Sequence, residues 1–166
     1  MKYTGIGSRL TPAPILAEMT RIGRELACRG LILRSGAAQG ADSAFEKGCD
    51  QGFGQKEIFL PWYRFHGHDS RYYSPTSFAF KIAEQLIGEQ WKWLKQPVKK
   101  LHARNVHEVL GIGCDDPVRY VLCWTPEGKT IGGTATAIKL AHSVEVSVIN
   151  LAAPTAQEEL RRELFV

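Results

Sequence analysis

The hydrophobic and polar positions of this chain switch repeatedly between the period of a β-strand and that of an α-helix. Short apolar runs rich in β-branched and aromatic residues predict strands at residues 2–7, 31–34, 56–60, 118–124 and 144–149. Apolar residues spaced three and four apart, with their flanking stop signals, predict helices over 11–30, 41–51, 77–95, 101–110, 132–142 and 155–164. Because strands that alternate with helices favour a parallel sheet covered on both faces, the pattern predicts an α/β fold. The expected architecture is a doubly wound parallel sheet of about five strands.

One region departs from this alternation. Residues 62–113 contain a long loop and two helical segments in succession, which predicts a helical insertion between the third and fourth strands. In the first helix, Thr11 is the expected N-cap, Pro12 lies in the first turn, and Gly30 is the expected stop. No linker or internal repeat divides the sequence. Residues 1–166 are therefore expected to form a single domain.

Glycine-rich or polar loops follow three of the predicted strands. They are residues 7–9, 35–40 and 125–134. In the second of these loops, Gly36 and Gly40 permit a close backbone approach, and Asp42 follows in the first helical turn, where its carboxylate can cap N–H groups or meet a ribose hydroxyl. A strand that ends in such a loop and restarts as a helix presents backbone N–H groups and a helix dipole to an anion. The carboxyl ends of parallel strands share one sheet edge, so the three loops predict a phosphate-binding pocket there.

Composition narrows the class of protein further. No apolar stretch of the 166 residues is long enough to span a membrane, and the N-terminus lacks a signal-peptide core, so a cytoplasmic protein without membrane contact is expected. The four cysteines form no C-x-x-C pair and are expected to be reduced. Neither a metal site nor a cofactor is predicted.

Charge and aromatic residues concentrate in the middle of the chain. Residues 61–110 carry eight Lys or Arg against four acids, and nine of the sixteen aromatic residues lie between Trp62 and Trp93. Aromatic side chains beside cations suit base stacking and contact with a single-stranded backbone. The alternative is that the insertion packs its aromatic residues into a core or a dimer interface.

Four motifs together resemble the DNA-processing protein A family. In that family a G-S-R turn, an S-G-x-A-x-G-x-D loop, an R-N pair and a G-[ST] helix start that ends in [RK]-x-A occur in this order. The corresponding residues here are Gly7-Ser8-Arg9, Ser35 to Asp42, Arg104-Asn105, and Gly132-Gly133-Thr134 up to Ala141. The resemblance implies a Rossmann-like nucleotide-binding fold of the superfamily that also contains the Lonely Guy phosphoribohydrolases. It leaves residues 62–100 unexplained.

The resemblance and the loops together imply one set of ligand-binding residues. Backbone amides of the second and third loops are expected to hold phosphate, Arg9 and Arg104 to neutralise it, and Asp42 and Asn105 to orient the sugar or a loop. No catalytic residue is assigned. The candidate binding residues are Gly7, Ser8, Arg9, Ser35, Gly36, Ala37, Gln39, Gly40, Asp42, Arg104, Asn105, Gly132, Gly133 and Thr134.

Three functions are compatible with this site. The first is binding of a nucleotide or of single-stranded nucleic acid, with a homo-oligomer left open. The second is hydrolysis of a nucleotide N-glycosidic bond; Ile138 and Lys139 stand where the Lonely Guy enzymes carry acids, so Glu127 or Asp42 would have to replace the missing glutamate. The third is a non-catalytic assembly module whose glycine loops are only tight turns.

Overall fold

A computed structural model describes residues 1–164 and confirms the α/β class, with five parallel strands in one sheet within that range. The strands are β1 Lys2–Gly7, β2 Ile32–Ser35, β3 Lys56–Ile58, β4 Tyr120–Trp124 and β5 Ser147–Asn150. The helices are α1 Ala13–Cys28, α2 Ala41–Gln51, α3 Ser77–Ile87, α4 Gln96–Leu110, α5 Ala135–Ser143 and α6 Ala156–Leu164. Short 3₁₀ segments lie at Phe65–Gly67, Gly88–Trp93 and Pro126–Gly128.

The strand order is β3-β2-β1-β4-β5, so the direction of winding reverses between β1 and β4. These two central strands pair in parallel from Tyr3 opposite Tyr120 to Gly7 opposite Trp124. In an open α/β sheet the reversal leaves a crevice beyond the carboxyl ends of the two strands. The loops after Gly7 and Trp124 border that crevice.

Both faces of the sheet are covered, because alternate residues of the buried strands point to opposite sides. On β1, Tyr3 packs into the apolar cluster of α1, α2 and α6, whereas Ile6 packs into that of α3, α4 and α5. Gly5 faces α2, and a side chain there would overlap the ring of Phe45. Helix α2 therefore lies directly against the central strand.

Several predicted boundaries differ from the observed ones for local reasons. The Thr11 hydroxyl donates to the Ser8 carbonyl at 2.5 Å instead of capping α1, whose N-cap is Pro12. The helix predicted over 77–95 stops at Gly88, which has φ +71, and a 3₁₀ segment replaces its last part. Helix α4 begins at Gln96, five residues earlier than expected, with Pro97 in its first turn. Within residues 1–164 no helix is long and apolar enough to cross a bilayer.

Candidate ligand-binding cleft

A cleft of ≈ 720 Å³ lies at the carboxyl edge of the sheet, where the β1, β2 and β4 loops meet the side of α4. This volume lies within the range typical of small-ligand sites. Ten of the fourteen residues proposed from the sequence line the cleft. They are Gly7, Ser8, Arg9, Gln39, Asp42, Arg104, Asn105, Gly132, Gly133 and Thr134.

The other four lie behind the wall of the cleft. Ser35 is buried and donates its hydroxyl to Glu46 Oε1 at 2.9 Å. Gly36 lies behind the side chain of Arg104, and Ala37 packs against Leu60 and Phe65. Gly40 has φ +95 and begins α2. These residues shape the β2–α2 loop and do not face the cleft.

Asp42 closes the β2–α2 loop from within. Its Oδ2 accepts hydrogen bonds from the backbone N–H groups of Gly36 and Ala38, each at 3.2 Å. We expected these N–H groups to be available to a ligand phosphate, but they already have an anionic acceptor. The carboxylate in the first turn of α2 thus occupies part of the predicted phosphate cradle.

Arg104 ties α4 to the same loop. Its Nη1 donates to the carbonyl of Gly36, and it lies 3.3 Å from Glu108 Oε1 and 3.7 Å from Asp42 Oδ2. The residue is only 6 % exposed, and its Nε is buried without a hydrogen-bond acceptor among residues 1–164. Arg104 therefore lines the cleft with a guanidinium that is already engaged by the protein.

Two buried acids lie near this guanidinium, Asp42 on α2 and Glu108 on α4, and a third buried acid, Glu46 on α2, interacts electrostatically with both of them. Burial raises the pKa of Glu108 to about 8; Arg104 opposes the rise, and Asp42 and Glu46 add to it. Burial also raises the pKa of Asp42, against the charge of Arg104, and that of Glu46, against the Ser35 hydroxyl. With a pKa of about 8, Glu108 is mostly protonated at neutral pH.

The opposite end of the cleft, at the start of α5, has a different character. Asn105 Nδ2 donates to the Gly133 carbonyl at 2.8 Å and so fixes the loop that precedes the helix. Lys139 is exposed there; Arg9, whose backbone lies next to Gly40 at the start of α2, is also exposed in the cleft, and neither side chain has a carboxylate within salt-bridge distance among residues 1–164. Thr134 is the N-cap of α5 and makes no side-chain capping bond. This end offers unpaired positive charge and a helix N-terminus to a ligand.

His102 stands beside this cationic end. Its Nδ1 lies 2.8 Å from the Thr136 hydroxyl, which holds the ring against α5. Burial, followed by the charge of Arg104, lowers the pKa of His102, so the imidazole is neutral at pH 7. A neutral ring that lines the cleft can act as a hydrogen-bond partner without adding charge.

The sequence interpretation missed His102, Glu108 and the apolar wall of the cleft. That wall is formed by Leu94 and by Val98 and Leu101 of α4, among others. Residues 98, 101, 102, 105 and 108 recur at helical spacing and therefore lie on one face of α4. This periodicity was the sequence signal that could have identified them as cleft residues.

His107 has a separate structural role. It is buried on the side of α4 away from the cleft, where Nε2 accepts from the Thr76 N–H at 3.0 Å and Nδ1 donates to the Gly111 carbonyl at 2.9 Å. These two bonds fix one tautomer and attach the start of α3 to α4.

Some aromatic residues of the insertion are buried and others are exposed. Phe65 and Trp91 are buried, and Phe59 stacks on Tyr72. Five others are exposed by 37 % or more and include the most exposed tryptophan, at 80 %. These five are Trp62, Tyr63, Tyr73, Phe78 and Trp93.

Neither a protein-family model, nor a curated protein, nor a solved structure matches this chain. The class of site must therefore be argued from its own geometry.

Proposed function

We propose that the cleft binds a phosphorylated ligand of the nucleotide class, either a free nucleotide or the sugar–phosphate unit of a single-stranded nucleic acid. The observation that supports this most directly is the separation of charge along the cleft. The unpaired Lys139 and the N-terminus of α5 lie at one end, and the buried carboxyl groups of Asp42 and Glu108 lie at the other, together with Arg104, which already contacts them.

This separation of charge gives the phosphate and the sugar of the ligand different preferred ends of the cleft. The phosphate lies at the start of α5, near Lys139, where N–H groups and positive charge favour an anion. The β2–α2 end disfavours phosphate, because Asp42 already occupies two of its N–H donors. Carboxyl groups pair well with hydroxyls, so the sugar lies toward Asp42 and Glu108.

Both versions of the ligand have support. The resemblance to the DNA-processing protein A family, together with the exposed Trp93 beside Lys92, favours single-stranded nucleic acid. The limited volume of the cleft favours a mononucleotide.

Titration calorimetry with a panel of nucleoside monophosphates and with a single-stranded oligonucleotide tests the proposal. Lys139→Ala should weaken binding of whichever probe binds, whereas Lys47→Ala, which removes the same charge from an exposed position of α2 outside the cleft, should not. An affinity that falls steeply with salt identifies the polyanion, because each neutralised phosphate releases counterions. Equal effects of the two lysine variants would argue against a phosphate at α5.

Hydrolysis of an N-glycosidic bond is the second candidate, and one observation favours it. Glu127 is exposed, pairs with Lys129 and does not line the cleft, and Asp42 is held by two N–H groups. Glu108, in contrast, is a protonated carboxyl in the cleft wall, the state that a general acid requires. Chromatography for free base after incubation with nucleoside monophosphates tests this activity; intact nucleotide after prolonged incubation would exclude it for the panel used.

A further inference from the structure

Glu108 carries a buried polar atom that the protein does not satisfy. It is 1 % exposed and lines the cleft, and its Oε1 has no hydrogen-bond partner among residues 1–164. Arg104 Nη1 approaches to 3.3 Å without the geometry of a hydrogen bond, because that nitrogen is directed to the Gly36 carbonyl. Buried polar groups are nearly always bonded, so the protein leaves part of the hydrogen-bonding capacity of this carboxyl group unused.

The charged groups near Glu108 influence whether its carboxyl group is protonated when a ligand binds. Arg104 lies on the same helix, Asp42 and Glu46 face it from α2, and His68 lies beyond Glu46 at 3.7 Å from Oε2. The acids outnumber the cation that contacts the cluster. Burial therefore keeps Glu108 protonated at neutral pH, and a protonated carboxyl donates a hydrogen bond.

The position of Glu108 on α4 identifies the part of the ligand that it can reach. Asn105 binds the Gly133 carbonyl at the phosphate end, and Glu108 lies three residues further along the helix, a rise of about 4.5 Å. That step is comparable to the linker between a nucleotide phosphate and its sugar ring. Asp42, an acceptor, faces the same part of the cleft.

From this geometry we propose that Glu108 determines specificity for the sugar of the ligand: its carboxylic acid donates a hydrogen bond to a ribose hydroxyl, which in turn donates to Asp42. The inference rests on the proposed function, because it requires a phosphate anchored at α5. A hydroxyl satisfies both carboxyl groups at once, whereas a deoxy position satisfies neither. Ionisation of Glu108 removes the donor and adds a negative charge near the anionic ligand.

Calorimetry with three probes tests this role: adenosine 5′-monophosphate and its 2′-deoxy and 3′-deoxy analogues, titrated from pH 7 to pH 9. The phosphate is a dianion throughout this range, because its second pKa is about 6. We expect wild-type affinity for the ribonucleotide to fall about tenfold between pH 7 and pH 9, as Glu108 ionises. One of the two deoxy analogues should bind about tenfold more weakly at pH 7 and show little of this pH dependence.

Two variants separate the role of Glu108 from a general effect of pH. Glu108→Gln keeps a donor but cannot ionise, so its affinity should stay constant across the range. Glu127→Gln, an exposed carboxyl outside the cleft, should keep the wild-type profile. The wild-type profile and the comparison of analogues need no variant, so they test the role even if Glu108→Gln does not fold.

The outcomes distinguish this inference from the proposed function. A ribonucleotide that binds with no change in affinity from pH 7 to pH 9, or that binds no better than both deoxy analogues, would overturn the role of Glu108 alone. Failure of all three nucleotides and of inorganic phosphate to bind at any pH would overturn the proposed function, and this inference with it.

Discussion

The guanidinium of Arg104 donates to the carbonyl of Gly36, a residue 68 positions earlier in the chain. This contact joins the helix that walls the cleft to the loop that ends β2. It is possible only because Gly36 has no side chain: an added Cβ would overlap both the guanidinium and the carboxyl of Glu108. The glycine of the loop is thus required for packing against α4.

Gly36→Ala should therefore destabilise the fold. A methyl group forced into this close-packed, charged site typically costs about 1–3 kcal/mol of unfolding free energy. Gly133→Ala is the matched control, since a Cβ there meets nothing within 4 Å and its stability should change by less than about 0.5 kcal/mol. Urea denaturation of the two variants measures the difference; similar unfolding free energies would contradict the contact.

Arg104→Lys should lower stability as well as any ligand affinity. Lysine keeps the charge but cannot reproduce the geometry of a guanidinium that contacts Gly36, Asp42 and Glu108 together. Loss of a charged, buried hydrogen bond is typically worth about 1.5–3 kcal/mol. Thermal unfolding checks this expectation, and an unchanged midpoint would mean that the guanidinium does not brace the loop.

Ionisation of Glu108 should make the unfolding free energy depend on pH. Its folded-state pKa is raised by burial to about 8 from an ordinary value of 4.5, so the folded protein holds this proton more tightly than the unfolded chain. The contribution is fully present below pH 4.5 and is lost as pH rises toward 8, so the unfolding free energy should fall through this window by on the order of 5 kcal/mol.

Comparison with Glu108→Gln isolates this contribution, because Asp42 and Glu46 also have a raised pKa and act with the same sign. The glutamine variant should lose stability less steeply than the wild type between pH 5 and pH 8. Denaturation curves at several pH values test this, and parallel profiles would show that Glu108 is ionised in the fold at neutral pH.

The fold was predictable from the sequence because each strand and helix has a clear period and the glycines mark the ends of strands. β1 and α2 were predicted with their observed bounds. The start of α4 was missed because the interpretation relied on apolar spacing from residue 101 onward and gave no weight to Pro97, which favours a helical first turn.

The site was predictable only in part. Glycine-rich loops can be recognised from the local sequence, whereas the contact partners of a side chain depend on tertiary packing. Ten of the proposed residues reach the cleft, since loops at one sheet edge must converge. The sequence left open whether the Asp42 carboxylate caps N–H groups or meets a ribose hydroxyl, and the structure shows that it caps those of its own loop. The sequence could not show that Arg104 turns toward Gly36. That contact depends on how α4 packs against the sheet, and the pKa of Glu108 depends on the burial that this packing produces.

A nuclear magnetic resonance titration of the backbone amides with adenosine 5′-monophosphate shows where in the cleft the ligand phosphate binds. The amide signals of Gly133 and Thr134 should shift most strongly, because the proposed phosphate site is at the start of α5. Those of Gly36 and Ala38 should shift little, because their N–H groups already donate to Asp42. The largest shifts at Gly36 and Ala38, or no shift in the cleft at a saturating concentration, would contradict this phosphate site.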